Sequence, residues 1–495
     1  MLRDALKDLC LLSCLCLAAC TATVSPLPAP GLGPTPTAAP APTGPPPTPV
    51  CEDEASALPH YDLRLSLDYA AHTAEVAQSI QVANTSGAAW PDLALAVAAN
   101  DSPGVFSLHS LSVDGFPGRY VLDGVGLRVL LAAPLDSGCR LTVHLEYSLA
   151  LPRLDSSAFG WRGALGWTPR QVLLGGWYPT LVPYRAGAGW LARRPAPQGE
   201  FETVEASDVA VRLELVGEAA EVQVVGSAAP GACPDEDPPP ETVTCYALPA
   251  ARHFAFALSD QMRVLTDKTG QTTITSMYFP EHVAGGRQVL ETARDAFAVY
   301  GNRYGPAPYT WLAGVEADMP DGMEFSGLFL LGRPYYAEFD RTPQNYLTVI
   351  AAHETAHQWW YSLVGNDPAA EPWLDESLAT YSEEVYFEAA FPELVEWWWQ
   401  FRVWFYLPVG PVDSDIYTSD EFRPYVDAVY LNGAQFLHAL RGEAGDETFF
   451  NFLRAYAERG AGRIMTAEDF WEIYGEFGDA EGSEARRTYF EGSER

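Results

Sequence analysis

A chain of 495 residues is too long for a single compact core, so two or three domains are expected. Its 65 acidic side chains against 30 Lys and Arg leave a formal net charge of -35 at pH 7. A surface of that sign repels phosphate backbones and anionic head groups, so nucleic acid is excluded as an expected partner.

The first twenty residues have the make-up of an export signal. Arg3 and Lys7 precede the apolar run CLLSCLCLAA, which ends at Leu17-Ala18-Ala19 just before Cys20. The run falls short of the about twenty apolar residues that a spanning helix needs. Leu-Ala-Ala-Cys resembles the lipobox of bacterial lipoproteins, which implies a lipid anchor at Cys20 and an extracytoplasmic, membrane-anchored location in the cell envelope. Residues 1–20 are therefore expected to be a lipoprotein signal peptide, and residues 21–54 a Pro/Thr/Ala-rich linker with no charge from Thr21 to Val50. Such a stretch favours extended polyproline conformations and, at about 3 Å per residue, reaches several tens of Å.

Once the signal is removed and Cys20 acylated, Cys51, Cys139, Cys233 and Cys245 remain, an even number that suits an oxidising compartment. Cys233 and Cys245 flank PDEDPPPETVT, which reads as a hairpin loop, and are the natural pair. Cys51 with Cys139 follows by elimination, four buried free thiols being the alternative.

Residues 55–262 read as an all-β domain. YDLRLSLDY, EVAQSIQVAN, GLRVLLAA, RLTVHLEYSL, VAVRLELV and EVQVVGS alternate or run apolar between Gly, Pro, Asn, Asp and Ser, which predicts a sandwich or saddle-shaped sheet. From residue 263 the pattern turns helical, beginning with RQVLETARDAFAVYGNRYG. A helix is predicted from Thr342-Pro343, a cap followed by the residue suited to the first helical position, to Gly365. Another is predicted from Glu371-Pro372 to Phe391-Pro392. VEWWWQFRVWFYLPVG has aromatics on every side, which predicts core packing.

The first of these two helices carries His353-Glu354-Thr355-Ala356-His357. Residues four apart project from one helical face, so two imidazoles can grip one ion, and Glu354 beside them is placed to take a proton from an attacking water. Glu376 comes nineteen positions after His357 on the second helix. An antiparallel return brings it over the first, making it the third metal ligand. Two His and one Glu leave one position of a tetrahedral ion open, as catalysis requires. Asp375 could orient a ligating His from behind, with an exposed carboxylate as the equal alternative.

His353 to Trp360 (HETAHQWW), with Trp373-Leu374-Asp375-Glu376 after it, resembles the gluzincin metallopeptidases of the M1 aminopeptidase type, which carry HExxHQW and WLNEGFA. Asp375 stands for Asn, Ser377 for Gly and Leu378 for Phe. Gly322-Met323-Glu324-Phe325 is similar to that family's GAMEN segment, an edge strand lining the cleft. The resemblance implies that Gly322, Met323 and Glu324 bind substrate, with Glu324 on the free amino group; Asp321 and Phe325 depart from the pattern. Tyr430-Leu431-Asn432-Gly433-Ala434 is similar to Tyr-x-Lys-Gly-Ala, which implies Tyr430 as donor to the oxyanion, with Tyr425 the rival and Asn432 in place of Lys. Gly176-Trp177-Tyr178-Pro179 and Trp190 extend the likeness into the β domain.

The resemblance implies a thermolysin-like α/β catalytic domain over residues 263–495, mostly helical towards its end, one Zn2+ ion, and hydrolysis of peptides, removing amino-terminal residues. The alternatives are an endopeptidase on the same site and a catalytically inactive peptide-binding lipoprotein. Because the chain stops at Arg495, a form lacking the family's long carboxyl-terminal helical repeat domain is expected, with a more open site tolerant of longer peptides.

Overall fold

Strict alternation along the early strands decides how they pair. In the computed structural model, which describes residues 50–490 apart from 52–57, 156, 158–159, 218–220, 235–239 and 241, His60–Asp68 (β1) and Thr73–Ala83 (β2) each bury every second side chain. Tyr61, Leu63, Leu65 and Leu67 face inward from β1. Phe106–Val113 (β3), Cys139–Ala150 (β4), Ser207–Val216 (β5) and Val243–Ala251 (β6) complete the main sheet in the order β6-β5-β1-β2-β4-β3, with a two-residue strand at each of two places on its margin. All neighbours on this path are antiparallel except β5 and β1. Two four-stranded sheets close over the inner face, so the first part of the chain is all β, as its patterning implies.

The expected cysteine pairs both form: Cys51–Cys139 and Cys233–Cys245 are disulfides. The signal peptide, Cys20 and the linker up to residue 49 lie outside the described residues. Among the described residues, no helix is long and apolar enough to cross a membrane.

The region expected to be helical from residue 263 begins instead with strands. Arg263–Thr269 (β7), Thr272–Tyr278 (β8), Trp311–Ala317 (β9), Gly322–Phe325 (β10) and Leu328–Gly332 (β11) form a five-stranded sheet in the order β7-β8-β9-β11-β10. β8, β9 and β11 run parallel to one another, while β7 and β10 run antiparallel at the two edges. β8 and β9 are buried on both faces and so lack the alternation by which a half-exposed strand is recognised.

Helix α1 (Val283–Tyr304) packs Val289, Leu290, Ala293 and Phe297 inward and ends before Gly305. Helix α2 spans Tyr346–Ala356, starting later than Thr342 and ending well before the expected Gly365, with His357 as its C-cap. Asp340 takes both the backbone N–H and the hydroxyl of Thr342, so Asn345 caps the helix instead, its side chain accepting from Thr348 N at 3.1 Å. Helix α3 (Trp373–Ala390) matches its expected limits. α2 and α3 are buried along nearly their whole length.

The expectation of a form lacking a carboxyl-terminal helical domain is corrected by the course of the chain beyond α3. Asn432–Ala444 (α4), Asp446–Gly460 (α5) and Ala467–Gly475 (α6), with shorter turns before and after them, build a substantial helical region. Its aromatics close the core: Phe470 meets Trp373 at a ring distance of 5.0 Å and Phe449 meets Tyr381 at 5.7 Å. Gly433 lets α4 approach α3, since a Cβ there would lie 2.0 Å from the Ser377 hydroxyl. The openness expected of an uncovered site falls with this correction. The aromatic run also divides: Trp398 and Trp399 are buried, whereas Phe405, Leu407 and Val409 are 62 to 79 % exposed.

The architecture is thus an N-terminal β-sheet domain, an α/β region carrying α2 and α3, and a mostly helical carboxyl-terminal segment.

Candidate active site

Helices α2 and α3 meet where three donors converge. His353 Nε2 lies 3.1 Å from His357 Nε2 and 3.2 Å from Glu376 Oε2, and the two rings cross at 77°. His357 and Glu376 are separated by 3.6 Å. The opposite nitrogens are engaged: His353 Nδ1 donates to Glu383 Oε1 at 3.0 Å, and His357 Nδ1 to the Trp360 carbonyl at 2.8 Å. With Nδ1 held by these acceptors, each Nε2 faces Glu376 and is the atom that can give up its proton and turn a lone pair to a metal ion. Two imidazoles and a carboxylate, all buried, form a donor set of zinc type.

Burial opposes charge on all three, yet their mutual contacts win. Hydrogen bonds to Glu376 and Glu383 overcome desolvation and raise His353 to about 9. His357 is raised as well against burial, chiefly by the Glu324 and Glu376 charges. Glu376 is held far below the carboxylate range by the two histidines.

Glu354 projects beside this cluster. Its Oε2 is buried with no hydrogen-bond partner, and burial raises its carboxyl to about 8. Space for it comes from Gly322 on the neighbouring edge strand, where an added Cβ would lie 2.0 Å from Glu354 Oε1. Glu324, two residues on, is 5 % exposed and lies with Glu354 and His357 in a group whose ligand atoms are all within 4.8 Å of one another. Met323 lines a second, smaller chamber behind Glu324.

Tyr430 faces the cleft with its ring stacked on His353 at 5.9 Å, and burial lifts its phenol well above 10. Tyr425 lies behind it, edge-on at 5.7 Å, against Gly199. Asp375 orients neither histidine: its Oδ1 accepts from Glu376 N at 2.8 Å, and the orienting carboxylate is Glu383.

Two carboxylates carry no motif that singles them out as site residues. Glu383 accepts from His353, from Trp398 Nε1 at 3.0 Å and from Arg402, whose Nε and Nη2 lie 2.9 and 3.0 Å from its two oxygens. It stands seven residues after Glu376, two turns along one helical face, which is a readable signal. Glu200 comes from a loop of the β domain and joins Glu324 and Glu376 within 4.8 Å. Burial, then the Glu324 and Glu376 charges, raise its carboxyl well above the usual range. No local pattern marks it.

Residues 320–486 match the model of the peptidase family M1 domain. Aminopeptidase M1-A of Oryza sativa subsp. japonica is 34 % identical over 136 residues, covering 25 % of this chain and 15 % of that protein. Aminopeptidase N of Lactococcus lactis subsp. lactis is 26 % identical over 223 residues, covering 41 % and 25 %. These matches therefore span no more than about a quarter of those relatives' length. The M1 zinc metallopeptidase from Deinococcus radiodurans shares the fold far more completely, with a TM-score of 0.62 at 18 % identity over 89 % of this chain and 95 % of that one.

Proposed function

We propose that this chain is an extracytoplasmic zinc metallopeptidase that removes amino-terminal residues from peptides. The observation that carries the reading is the convergence of His353, His357 and Glu376 with an unpartnered Glu354 oxygen at the same cleft. Zinc held by those three ligands would supply a Lewis acid for the scissile carbonyl and its attacking water. Glu354, whose buried Oε2 has no other partner, accepts as a carboxylate the proton of that water and returns it to the leaving amine. Tyr430 donates its phenolic proton in a hydrogen bond to the developing oxyanion. Glu324 and Glu200 accept from the substrate ammonium, fixing the amino terminus one residue before the scissile bond.

The relatives named aminopeptidases support the exopeptidase choice, as does a carboxylate pair set beside the ligands. In this reading residues 55–262 are the β domain that contributes Glu200, and residues 263–495 the peptidase domain. The signal-like pattern that ends at Cys20 and the two disulfides support a location outside the cytoplasm, with Cys20 as the expected point of lipid attachment to the cell envelope.

Aminoacyl p-nitroanilides and their amino-blocked counterparts test the proposal, with and without a chelator. Turnover of the free-amine substrates alone, lost on chelation and restored by zinc, is expected. Cleavage of blocked peptides at internal bonds would establish the endopeptidase alternative, and zinc binding without any turnover the inactive one.

A further inference from the structure

The cleft runs along helix α2, and its lining is acidic but for Arg402 and Arg423. Tyr346, Ile350, His353, Glu354 and His357 all border it, so the helix serves as a ruler beside any bound chain. At the His357 end stand Glu324 and Glu200. Towards the Tyr346 end Arg423 brings in a cation, in the same lining as Asp321, which accepts from the Tyr335 hydroxyl. Tyr346 hydroxyl meets Tyr406 hydroxyl at 2.6 Å, and the Arg423 guanidinium lies 3.9 Å over the Tyr406 ring. Arg423 also donates from Nη2 to Asp427, one turn on, which fixes the fork while its side chain remains 45 % exposed. A guanidinium has five donors in a plane, so one ion pair leaves a further edge available. In a chain with 30 basic and 65 acidic residues, cations placed in an otherwise acidic cleft are not a matter of composition.

Resting on the aminopeptidase function proposed for the same site, we infer that Arg423 binds the carboxyl terminus of the substrate, so that the enzyme acts on short peptides with both ends free. The ruler sets the length. His353, a metal ligand, and Tyr346 are seven residues apart on α2, roughly 10 Å at 1.5 Å per residue. An extended peptide advances about 3.3 Å per residue, so two to three residues fit beyond the scissile bond, and one precedes it. Peptides of three to four residues therefore reach Glu324 and Arg423 together. The cavity agrees: its volume of about 290 Å³ is at the small end for ligand sites.

The experiment compares alanine peptides of two to six residues, each as free acid and as carboxyl-terminal amide, with alanine p-nitroanilide run alongside. The expected result is a maximum in kcat/KM at three to four residues, with the free acid preferred over the amide by about tenfold, mainly in KM, and less so at high salt. R423Q should bring the acid-to-amide ratio to about one, with R423K in between, each ratio being measured within one enzyme so that altered folding cancels. Equal rates for acid and amide in the unaltered enzyme would overturn the inference, as would an undiminished ratio in R423Q. Absence of turnover on every substrate, the nitroanilide included, would overturn the peptidase reading itself and this inference with it.

Discussion

His353 Nδ1 donates to Glu383 Oε1 at 3.0 Å, and that carboxylate is in turn gripped through both oxygens by the buried Arg402. The ligand ring is thus fixed from behind by an ion pair belonging to two different helical segments. Because Glu383 is fully buried, its charge depends on those partners: burial opposes it, and Arg402 and His353 hold it below the ordinary carboxylate range. Replacing Glu383 by Ala removes the anchor of the imidazole and leaves Arg402 a buried cation without its counter-charge. Metal affinity should fall about 10- to 100-fold. Competition with a chromophoric chelator reads this directly, and retention of full affinity would remove Glu383 from the site.

Glu354 should separate metal binding from turnover. In Glu354→Gln the shape and hydrogen-bonding span of the side chain persist, and the three ligand groups are untouched. Zinc content should stay at one ion per chain while kcat drops by about 10²- to 10⁴-fold. Elemental analysis of the purified variant beside its turnover distinguishes this from loss of the metal; unaltered kcat would show that another group handles the proton.

Gly322→Ala tests the same carboxylate from the opposite wall. The added methyl would sit 2.0 Å from Glu354 Oε1, in a cleft wall formed by β10, so the carboxylate must turn away from where it now points. A displacement of this kind should lower kcat by about 10²-fold, since misplacement of a reacting group by an ångström has that scale. Zinc stoichiometry should be preserved. Wild-type kcat would mean that the room at residue 322 serves the backbone alone.

Much of the centre was legible because helical geometry is local. A four-residue spacing puts His353 and His357 on one face whatever surrounds them, and the end of α2 at Ala356 with the fresh start after Pro372 brings α3 back across α2 with Glu376. Glu200 was not legible, because it reaches the site through the packing of a loop against α3 and the cleft, a tertiary outcome without periodicity. Strands β8 and β9 were hidden for a different reason: buried on both faces, they show continuous apolar stretches that do not distinguish strand from helix. The run from Trp397 to Val409 shows the limit of composition. Its first aromatics enter the core while Phe405 and Leu407 stay exposed, and only the positions of the flanking turns decide where burial stops.

Arg252 links three parts of the molecule, and its removal should be felt in stability. It is 3 % exposed, and its guanidinium donates to the backbone carbonyls of Val204 at 2.6 Å, Tyr361 at 2.5 Å and Arg463 at 2.8 Å. These acceptors belong to the β domain, the turn after His357 and the helical carboxyl-terminal region. Burial lowers the affinity of Arg252 for its proton, though a guanidinium remains charged, so the hydrogen bonds to three carbonyl dipoles and the nearby Glu205 charge must offset its desolvation. Arg252→Met keeps the apolar stem and leaves those carbonyls without their donor. A loss of about 3 to 5 kcal/mol is expected, seen as an earlier unfolding midpoint in denaturant. Tyr361 holds a φ of 127°, and its neighbour Trp360 supplies the carbonyl that orients His357, so the loosened turn should also release zinc more readily. Arg252→Lys should recover less than half of the lost stability, because one ammonium cannot span three acceptors set around a planar fork. A midpoint within about 0.5 kcal/mol of the unaltered protein would show that Arg252 is a passenger in the interior and not its clamp.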